Sequence, residues 1–238
     1  MQQGEGEKCK RVAEQNRHKH ADIHLKSAFA KPEHQAIFPA DMQEIAISTH
    51  TGHTARPFLK EVARLRIAVF RDFPYLYDGS LGYEMDYLEE YISSERSLIV
   101  LAKHGAEIVG ASTGIPLAEA DEDFRKPIEA AGIDVRDVFY FGESVLLPDF
   151  RGQGLGHKFF DEREKHAGNL GFRIAGFFSV IRADQHPLKP SDYRAHDTFW
   201  IKRGYARQNA MIARFPWKQL GEPQETSHEL VFWLRELS

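Results

Sequence analysis

The residues with the clearest chemical potential form the segment VLLPDFRGQGLGHKFF, residues 145–160. An apolar run ends at Pro148, and a glycine-rich stretch then precedes residues that favour a helix. This order predicts a strand, a tight loop and the start of a helix. Glycines at 152, 154 and 156 leave main-chain N–H groups free to converge at the positive end of that helix. The segment therefore predicts an anion site suited to a phosphate.

Two common phosphate loops do not fit this segment. A dinucleotide loop needs Gly-x-Gly-x-x-Gly and an acidic residue about 20 positions later. Here His157 replaces the third glycine, and residues 173–175 are Arg, Ile and Ala. A nucleoside-triphosphate loop needs Gly-x-x-x-x-Gly-Lys-Ser/Thr, and counting from Gly152 puts His157 and Phe159 where the glycine and hydroxyl residue belong. An ordinary strand-to-helix packing turn is the plain alternative.

What remains is an Arg-x-x-Gly-x-Gly pattern, formed by Arg151, Gly154 and Gly156. Preceded by VLLPDF, it resembles the acyl-CoA loop of the GNAT N-acetyltransferase superfamily. A second block, FWIKRGY at 199–205, is similar to the aromatic pair and Gly-aromatic that follow in that superfamily. The resemblance spans roughly residues 43–238 and is greatest to a bacterial-type branch. The marks of that branch are FRDFPYLYDG, HPLKPSDYRAHDTFWIKRGY, and WKQLGEPQET before a closing FWL.

The resemblance implies that the loop holds the pyrophosphate of coenzyme A, with acetyl-CoA as the acyl donor. It also implies that the central strand splays, so that the N–H of Leu146 or Leu147 faces the acyl oxygen. The implied coenzyme-binding residues are Val145, Leu146, Leu147, Arg151, Gly152, Gln153, Gly154, Leu155, Gly156, His157 and Lys158. Arginine can grip a phosphate with two hydrogen bonds, so Arg182 is a further phosphate candidate. Lys158 and Arg182 suit solvated surface charge equally well.

Hydrophobic periodicity places these motifs on an α/β domain. The predicted elements are a strand at 45–47, helices at 58–70 and 83–92, strands at 98–102 and 108–117, an acidic excursion with a short helix at 118–136, a central strand at 138–147, a helix at 155–170, a strand at 174–181, a helix at 192–203, and strands at 210–215 and 229–234. This order, β-α-α-β-β-β-α-β-α-β-β, is also that of the superfamily. We expect a GNAT-like mixed, mostly antiparallel central sheet flanked by helices on both faces.

Acyl transfer to an amine needs a neutral amine and a donor for the developing oxyanion, and a proton helps the departing thiolate. Glu143 is the candidate base, directly or through water; the alternative is a structural carboxylate paired with an arginine. His196 titrates in a useful range, although a helix-surface histidine is often inert. Many GNAT enzymes have a tyrosine general acid where Trp200 stands here. Tyr193, seven residues earlier on the predicted helix, is a candidate acid, coenzyme contact or packing residue.

The acceptor pocket, by resemblance, is framed by the first two helices and the loop between them. In this chain that segment, residues 72–91, is rich in aromatic and acidic residues. The candidate acceptor-binding residues are Tyr75, Tyr77, Asp78 and Tyr83, with Phe73, Glu84, Asp86 and Tyr87 in the same segment. Ring faces and carboxylates suit a cationic small amine, while a lid packed on the core would use the same aromatics.

Bulk composition gives no indication of nucleic-acid binding, membrane binding or secretion. The 238 residues carry a formal net charge of −4, which gives no reason to expect nucleic-acid or anionic-membrane binding. The chain lacks a run of about 18 apolar residues and an apolar signal core. The single cysteine, Cys9, fits a reducing compartment, so a cytoplasmic location is expected.

Residues 1–41 are polar and lack sustained apolar periodicity, which predicts a mobile N-terminal extension. Met42 is a candidate native start, leaving 42–238 as a single acyl-CoA N-acyltransferase domain. His18, His20 and His24 have no cysteine or carboxylate framework, so no metal site is predicted.

The sequence thus predicts an acetyl-CoA-dependent N-acetyltransferase. Its expected acceptor is a primary amine of a small molecule or amino-acid-like compound, which attacks the thioester directly. A protein or peptide acceptor is one alternative, and an acyl-CoA-binding module without transferase activity is another, favoured by Trp200. His157, which stands where a nucleotide-binding loop has glycine, argues against a nucleotide-binding protein. A homodimer is compatible with the sequence.

Overall fold

The computed structural model describes residues 44–237, which build one mixed sheet and its covering helices. The strands are β1 (Ala46–His50), β2 (Leu98–His104), β3 (Glu107–Pro116), β4 (Val138–Tyr140), β5 (Ser144–Leu146), β6 (Ile174–Val180), β7 (Ala206–Lys218) and β8 (Glu225–Glu236). The helices are α1 (Leu59–Phe70), α2 (Leu81–Ser93), α3 (Glu122–Ala130), α4 (Leu155–Asn169) and α5 (Asp197–Lys202). The predicted extension, with His18, His20 and His24, lies outside the described residues.

The strand order is β1-β2-β3-β4-β6-β8-β7, with β5 pairing to β3. The pairing of β4 with β6 is parallel, and the other described pairs are antiparallel. This confirms the predicted mixed, mostly antiparallel sheet with helices. Within residues 44–237, no helix is long and apolar enough to span a bilayer.

Two hydrophobic clusters cover the two faces of the sheet. One packs α1, α2 and α3 against the sheet, and the other packs α4 and α5. Alternation along β8 assigns Leu230 and Phe232 to the first cluster and Val231 and Trp233 to the second. The sequence pattern predicts this division correctly. The helix that follows the glycine loop and the helices of the expected acceptor segment therefore lie on opposite faces.

The central strand predicted at 138–147 is broken into β4 and β5. Tyr140 pairs with Ile115, and Ser144 pairs with Ser112. Three residues, 141–143, therefore oppose only two residues of β3, 113–114, so the central strand has one residue more than its partner. This is a β-bulge, which bends a strand and increases its twist. Gly142, Glu143 and Ser144 interrupt the apolar run at this point, a local signal that the prediction of one continuous strand did not use.

Replacing Gly142, inside this bulge, with alanine is expected to lower the free energy of unfolding by about 1–3 kcal/mol. A Cβ there would overlap the Tyr91 hydroxyl and lie 2.5 Å from Thr113 Oγ1, so the bulge or α2 must shift. Urea unfolding measures the loss. Gly168→Ala in α4 is the control, since among the described residues no atom lies within 4 Å of its added Cβ. Equal effects at the two positions would contradict the constraint.

The last helix is shorter than predicted. Residues 192–196 are irregular, the Tyr193 N–H closes a turn onto Pro190 O, and α5 begins only at Asp197. In contrast, β7 and β8 are longer than the predicted 210–215 and 229–234. A register irregularity between Gln208 and Ile212 interrupts the alternation that would have indicated the full length of β7.

Candidate active site

A gap opens in the middle of the sheet, where β5 and β6 diverge. The parallel pairing of β4 with β6 ends at Tyr140 and Gly176, and one more bond joins Phe141 N to Gly176 O. Beyond this point β5 pairs with β3, while β6 pairs with β8. Main-chain groups on the facing edges of β5 and β6 are therefore available to a ligand.

Hydrogen-bond alternation identifies which groups face the gap. Leu147 N–H donates to Val109 O at 2.9 Å, and Thr113 N–H donates to Glu143 O at 3.1 Å. In an antiparallel ladder the residues between such pairs point their main-chain groups the other way. Ser144 and Leu146 therefore direct their N–H groups into the gap. Of the two predicted oxyanion donors, Leu146 is oriented for the role and Leu147 is already bonded.

Val145 does not fit its predicted contact with the coenzyme. Its side chain is fully buried, and it pairs with Ala111 in the register that bonds its main chain to β3. The side chain of Leu155 is also buried, so this residue can offer a ligand only main-chain groups. The side chains of both residues therefore anchor the loop in the core.

The glycine loop lies at the mouth of the gap and continues into α4. Gly152 and Gly154 have φ angles of +77° and +79°, which favour glycine. Among residues 44–237, no atom lies within 4 Å of a Cβ built at either position, and Gly156 meets only the Phe199 ring at 3.7 Å. No side chain of the described residues caps α4 at Gly154. Its first N–H groups can therefore bind an anion.

Side chains around the loop are partly engaged with the protein. Arg151 Nε donates to Leu146 O at 3.1 Å, which ties the loop to the edge of the gap. Gln153 donates to Asp149 O, and His157 Nδ1 accepts from Arg203 at 3.2 Å. Lys158 is exposed on α4. Their predicted contact with a coenzyme stays a prediction, and the loop residues from Arg151 to Gly154 are exposed.

Glu143 lies in the bulge and is held by an ion pair. Arg66 Nη1 of α1 is 2.5 Å from its Oε2, and Tyr87 donates to the same oxygen at 3.3 Å. Arg66 also bonds Glu84, whose carboxylate is fully buried. The other oxygen of Glu143, Oε1, is buried and has no hydrogen-bond partner among the described side and main chains. Arginine pairing was the structural alternative for Glu143, yet one oxygen remains unengaged.

Hydroxyl groups connect Glu143 to the sheet. Tyr87 and Tyr91 hydroxyls are 3.0 Å apart, and Glu143 N–H donates to Thr113 Oγ1 at 3.3 Å. Burial, and then the Glu143 charge, raise the pKa of Tyr91, so it stays protonated at neutral pH. The base candidate is therefore fixed by both its main chain and its carboxylate.

Arg163 of α4 holds the bulge from the opposite face. It is buried, and its Nη1 donates to Thr113 O at 3.3 Å and Glu143 O at 3.1 Å, while Nη2 donates to Ser144 Oγ at 2.8 Å. Its guanidinium also lies 4.2 Å from the Phe141 ring centre. Burial lowers the pKa of Arg163 to about 10, which still leaves it charged at neutral pH. The helix of the glycine loop thus fixes the point where the sheet splits.

The loop between α1 and α2 is pinned to the β7–β8 hairpin. Arg182 donates to Pro74 O at 2.6 Å and Tyr75 O at 2.8 Å, and its Nη1 is 3.3 Å from His228 Nδ1. The prediction that Arg182 binds a coenzyme phosphate is therefore wrong, because these groups occupy its guanidinium. Burial, and then Arg182, lower the pKa of His228, so its neutral imidazole accepts this bond.

Arg182→Met is expected to free this loop. The amides of residues 76–78 should exchange with solvent at least about tenfold faster, because two charge-assisted hydrogen bonds are lost. Hydrogen–deuterium exchange measures this directly. Arg214→Met removes an exposed arginine of β7 that pairs with Glu229, and should leave the loop unchanged. Unchanged exchange in Arg182→Met would show that Arg182 does not hold the loop.

The predicted acceptor residues lie on this loop and at the start of α2. Tyr75 contacts the rings of Phe70 and Trp217, and burial raises its pKa to about 12. Burial, and then Glu84, raise the pKa of Tyr77. Asp78 pairs with Lys218 at 2.8 Å, which fixes its carboxylate to the hairpin.

Tyr83 differs from the other predicted acceptor residues because 59% of it is exposed. It follows the first residues of α2, where the Ser80 side chain caps the helix by accepting from the Tyr83 N–H. Its ring is therefore available to a bound molecule.

Tyr193 and His196 both precede α5, so the prediction that they lie on one helix with Trp200 is wrong. Tyr193 packs edge-on against Phe73 of the α1–α2 loop, with ring centres 4.7 Å apart. His196 precedes α5, and its pKa is lowered first by desolvation and second by the charge of Arg151. Trp200 packs between Phe177 and Trp233. His196 is thus near the glycine loop, and Tyr193 near the acceptor segment.

Arg66 and Arg163 are functional candidates that sequence reasoning misses. Each occupies the apolar stripe of its helix: Arg66 lies four residues after Val62, and Arg163 four residues after Phe159. A charged residue on a buried face requires a partner, and this signal is readable from helical spacing. The sequence does not show that both arginines meet at the bulge.

Comparison with solved structures agrees with this fold. The fold matches ribosomal-protein-alanine N-acetyltransferase from Brucella melitensis (13% identity, 81% of this chain and 99% of that chain, TM-score 0.52). It also matches a GNAT-family acetyltransferase from Streptococcus pneumoniae (16%, 82% and 100%, TM-score 0.50). A protein from Salmonella typhimurium described as an acetyltransferase, solved with its cofactor acetyl-CoA, matches similarly (13%, 82% and 95%, TM-score 0.50). At these identities the likeness shows the fold.

No curated protein matches the chain significantly. Residues 63–189, more than half of the sequence, match the profile of the acetyltransferase (GNAT) family. The chain therefore belongs to the GNAT family of acetyltransferases.

Proposed function

We propose that this protein transfers an acetyl group from acetyl-CoA to a primary amine of a small-molecule or amino-acid-like acceptor. The observation that carries the proposal is the gap between β5 and β6, which opens at the uncapped, glycine-lined start of α4. Space remains where a Cβ would stand at Gly152 and Gly154. The residues present therefore fit a ligand that joins a diphosphate to an extended arm.

The main chain would bind the donor. The N–H groups of residues 151–156 would hold the diphosphate, and the edges of β5 and β6 would bind the arm. When bound there, acetyl-CoA supplies an acetyl group activated as a thioester. The Leu146 N–H would donate to the acyl oxygen as negative charge develops on it.

Glu143 would accept the proton of the attacking amine. Its Oε2 is engaged by Arg66 and Tyr87, while the buried Oε1 has no partner among the described groups. A buried carboxylate oxygen without a donor is unfavourable, and an acceptor N–H would satisfy it. The amine nitrogen then bonds to the acyl carbon, the carbon–sulfur bond breaks, and Glu143 takes the proton.

The sulfur leaves as a thiolate with the bonding electron pair. Trp200 cannot protonate it, since an indole N–H is not a useful acid. Tyr193 remains a candidate donor, because burial raises its pKa and keeps it protonated. His196 is a second candidate near Arg151, and without either group the thiolate takes its proton from water.

The acceptor side suits a cation. Tyr83 is exposed, and Tyr75 and Tyr77 are partly exposed, so their rings can contact a ligand. Arg66 is shared by two carboxylates, Glu84 and Glu143, which leaves one negative charge in excess. The structural relatives include an enzyme named for acting on a ribosomal protein, so peptides belong among the test acceptors.

Calorimetry with acetyl-CoA, followed by thiol release with an acceptor panel, tests the proposal. The panel comprises polyamines, free amino acids, amino sugars and a peptide with an N-terminal alanine. We expect heat of binding and turnover with one of the small amines. Absence of heat with acetyl-CoA would refute it, and turnover with the peptide alone would reassign the acceptor.

A second candidate is an acyl-CoA-binding module without transferase activity. Trp200 at the expected tyrosine position and the Arg66–Glu143 ion pair favour it. Tight acetyl-CoA binding without thiol release on any acceptor would support this reading over the first.

A further inference from the structure

Three buried charges lie together behind the proposed base. Arg66 and Glu143 are each 7% exposed, and Glu84 is 0% exposed. Arg66 Nη1 meets Glu143 at 2.5 Å, while its Nε bonds Glu84. One guanidinium is therefore shared by two carboxylates that come from different elements, the bulge and α2.

The guanidinium cannot easily leave this position. It lies 4.2 Å from the ring centre of Tyr87 and 5.1 Å from that of Phe70. Burial disfavours its charge, but Glu143, Tyr87 and Glu84 outweigh that effect and raise the pKa of Arg66. Arg66 is thus a permanent cation with two competing partners.

Few other charged groups within residues 44–237 face Glu143. The neighbouring titratable groups are Arg66 of α1, Tyr87, Tyr91 and, across Arg66, Glu84 of α2, Tyr75 of the α1–α2 loop, Tyr140 of β4 and Arg163 of α4. Burial raises the pKa of each of these tyrosines, so they are neutral at neutral pH. Arg163 bonds the main-chain oxygen of Glu143 rather than its carboxylate.

We propose that Arg66 and Glu84 are positioning residues that together set how strongly Glu143 binds its proton. Arg66 favours the ionised carboxylate, and Glu84 weakens that effect by repelling Glu143 and sharing the same guanidinium. A base paired with an unshared arginine would hold a proton too weakly to take one from an amine. The inference rests on the proposed role of Glu143 as the base.

The sharpest test follows the protonation of Glu143 directly. Protein labelled with ¹³C at glutamate carboxyl carbons is titrated by NMR without any acceptor, and Glu143→Gln identifies the resonance by its loss. In Arg66→Met the midpoint of Glu143 should rise by about one to three pH units relative to wild type. Arg66→Lys should keep the midpoint of Glu143 close to the wild-type value, because it keeps the charge.

Glu84→Gln should act in the opposite direction. Added to Arg66→Met, it should lower the midpoint of Glu143 back toward the wild-type value. Loosened packing gives no reason for the two substitutions to move the Glu143 midpoint in opposite directions. Opposite shifts therefore indicate that the charges of Arg66 and Glu84 control it. A folded Arg66→Met protein with the wild-type midpoint, or a further rise on adding Glu84→Gln, would overturn the inference. If Arg66→Met does not fold, Glu84→Gln alone is compared with wild type, and a Glu143 midpoint that is not lowered overturns the inference.

Kinetics then separate this inference from the proposed function. With the best amine of the panel, the acidic limb of kcat/KM should follow the NMR midpoints across the variants. If the midpoints shift as expected but no amine is turned over, the inference about Arg66 and Glu84 stands and the proposed transferase activity is refuted. Turnover with an acidic limb that Glu143→Gln displaces, but that Arg66→Met does not move, would refute the network alone.

Discussion

Gly154→Asp is expected to abolish acetyl-CoA binding, raising Kd at least about a hundredfold. The substitution adds bulk at a position where the described residues leave 4 Å of open space, and a negative charge beside the expected diphosphate. Like charges in contact cost several kcal/mol, and each 1.4 kcal/mol is a factor of ten. Calorimetry with acetyl-CoA measures the loss.

The control must separate charge at the site from backbone strain. Gly154 has a φ of +79°, so any side chain is strained there. Gly171 has a φ of +81° just beyond the other end of α4, and among residues 44–237 nothing lies within 4 Å of its added Cβ. Gly171→Asp should therefore destabilise the fold similarly while leaving binding unchanged. Unaltered affinity in folded Gly154→Asp would remove the loop from the binding site.

The loop and its strand–helix context were predictable because their signals are local. Glycines, a preceding proline and an apolar run fix a turn before a helix, whatever the rest of the chain does. The sheet was likewise predictable from alternation, as Leu230 to Trp233 show. The family resemblance then supplied the topology.

Gly142 is a local signal for a bulge in the central strand, but the geometry of that bulge depends on contacts distant in sequence. Gly142 is required there because the Tyr91 hydroxyl, fifty-one residues earlier, reaches its backbone. Arg163 completes the bulge from a helix that follows it in the chain. No single window of sequence contains these three residues.

The role of Arg182 was mispredicted for a related reason. An arginine after a buried strand near a phosphate loop suits a phosphate, but the carbonyls of Pro74 and Tyr75, more than a hundred residues earlier, bind it instead. Tyr193 was misplaced because the helix was predicted to begin at Asp192, whereas the Tyr193 N–H closes a turn onto Pro190 O and the helix begins only at Asp197. In both cases the local chemistry was read correctly and the three-dimensional neighbour was missing.

Glu143→Gln is expected to lower kcat by about 10²–10⁴-fold near neutral pH, the usual contribution of a general base. Glutamine keeps the shape of the side chain and its contact with Arg66 but cannot take the amine's proton. The loss should be largest at lower pH and shrink as pH rises, because a free amine needs no base once solution conditions deprotonate it. Acetyl-CoA affinity should not change, since the glycine loop is intact.

Glu119→Gln is the matched control. Glu119 also pairs with an arginine, Arg96, but its carboxylate faces α2 and α3 rather than the bulge. It should change stability slightly and leave the pH dependence of kcat unaltered. If Glu143→Gln lowers kcat by the same factor at every pH, its carboxylate orients the acceptor instead of removing the proton. If kcat is retained, water deprotonates the amine, and the bulge serves only to open the sheet for the coenzyme.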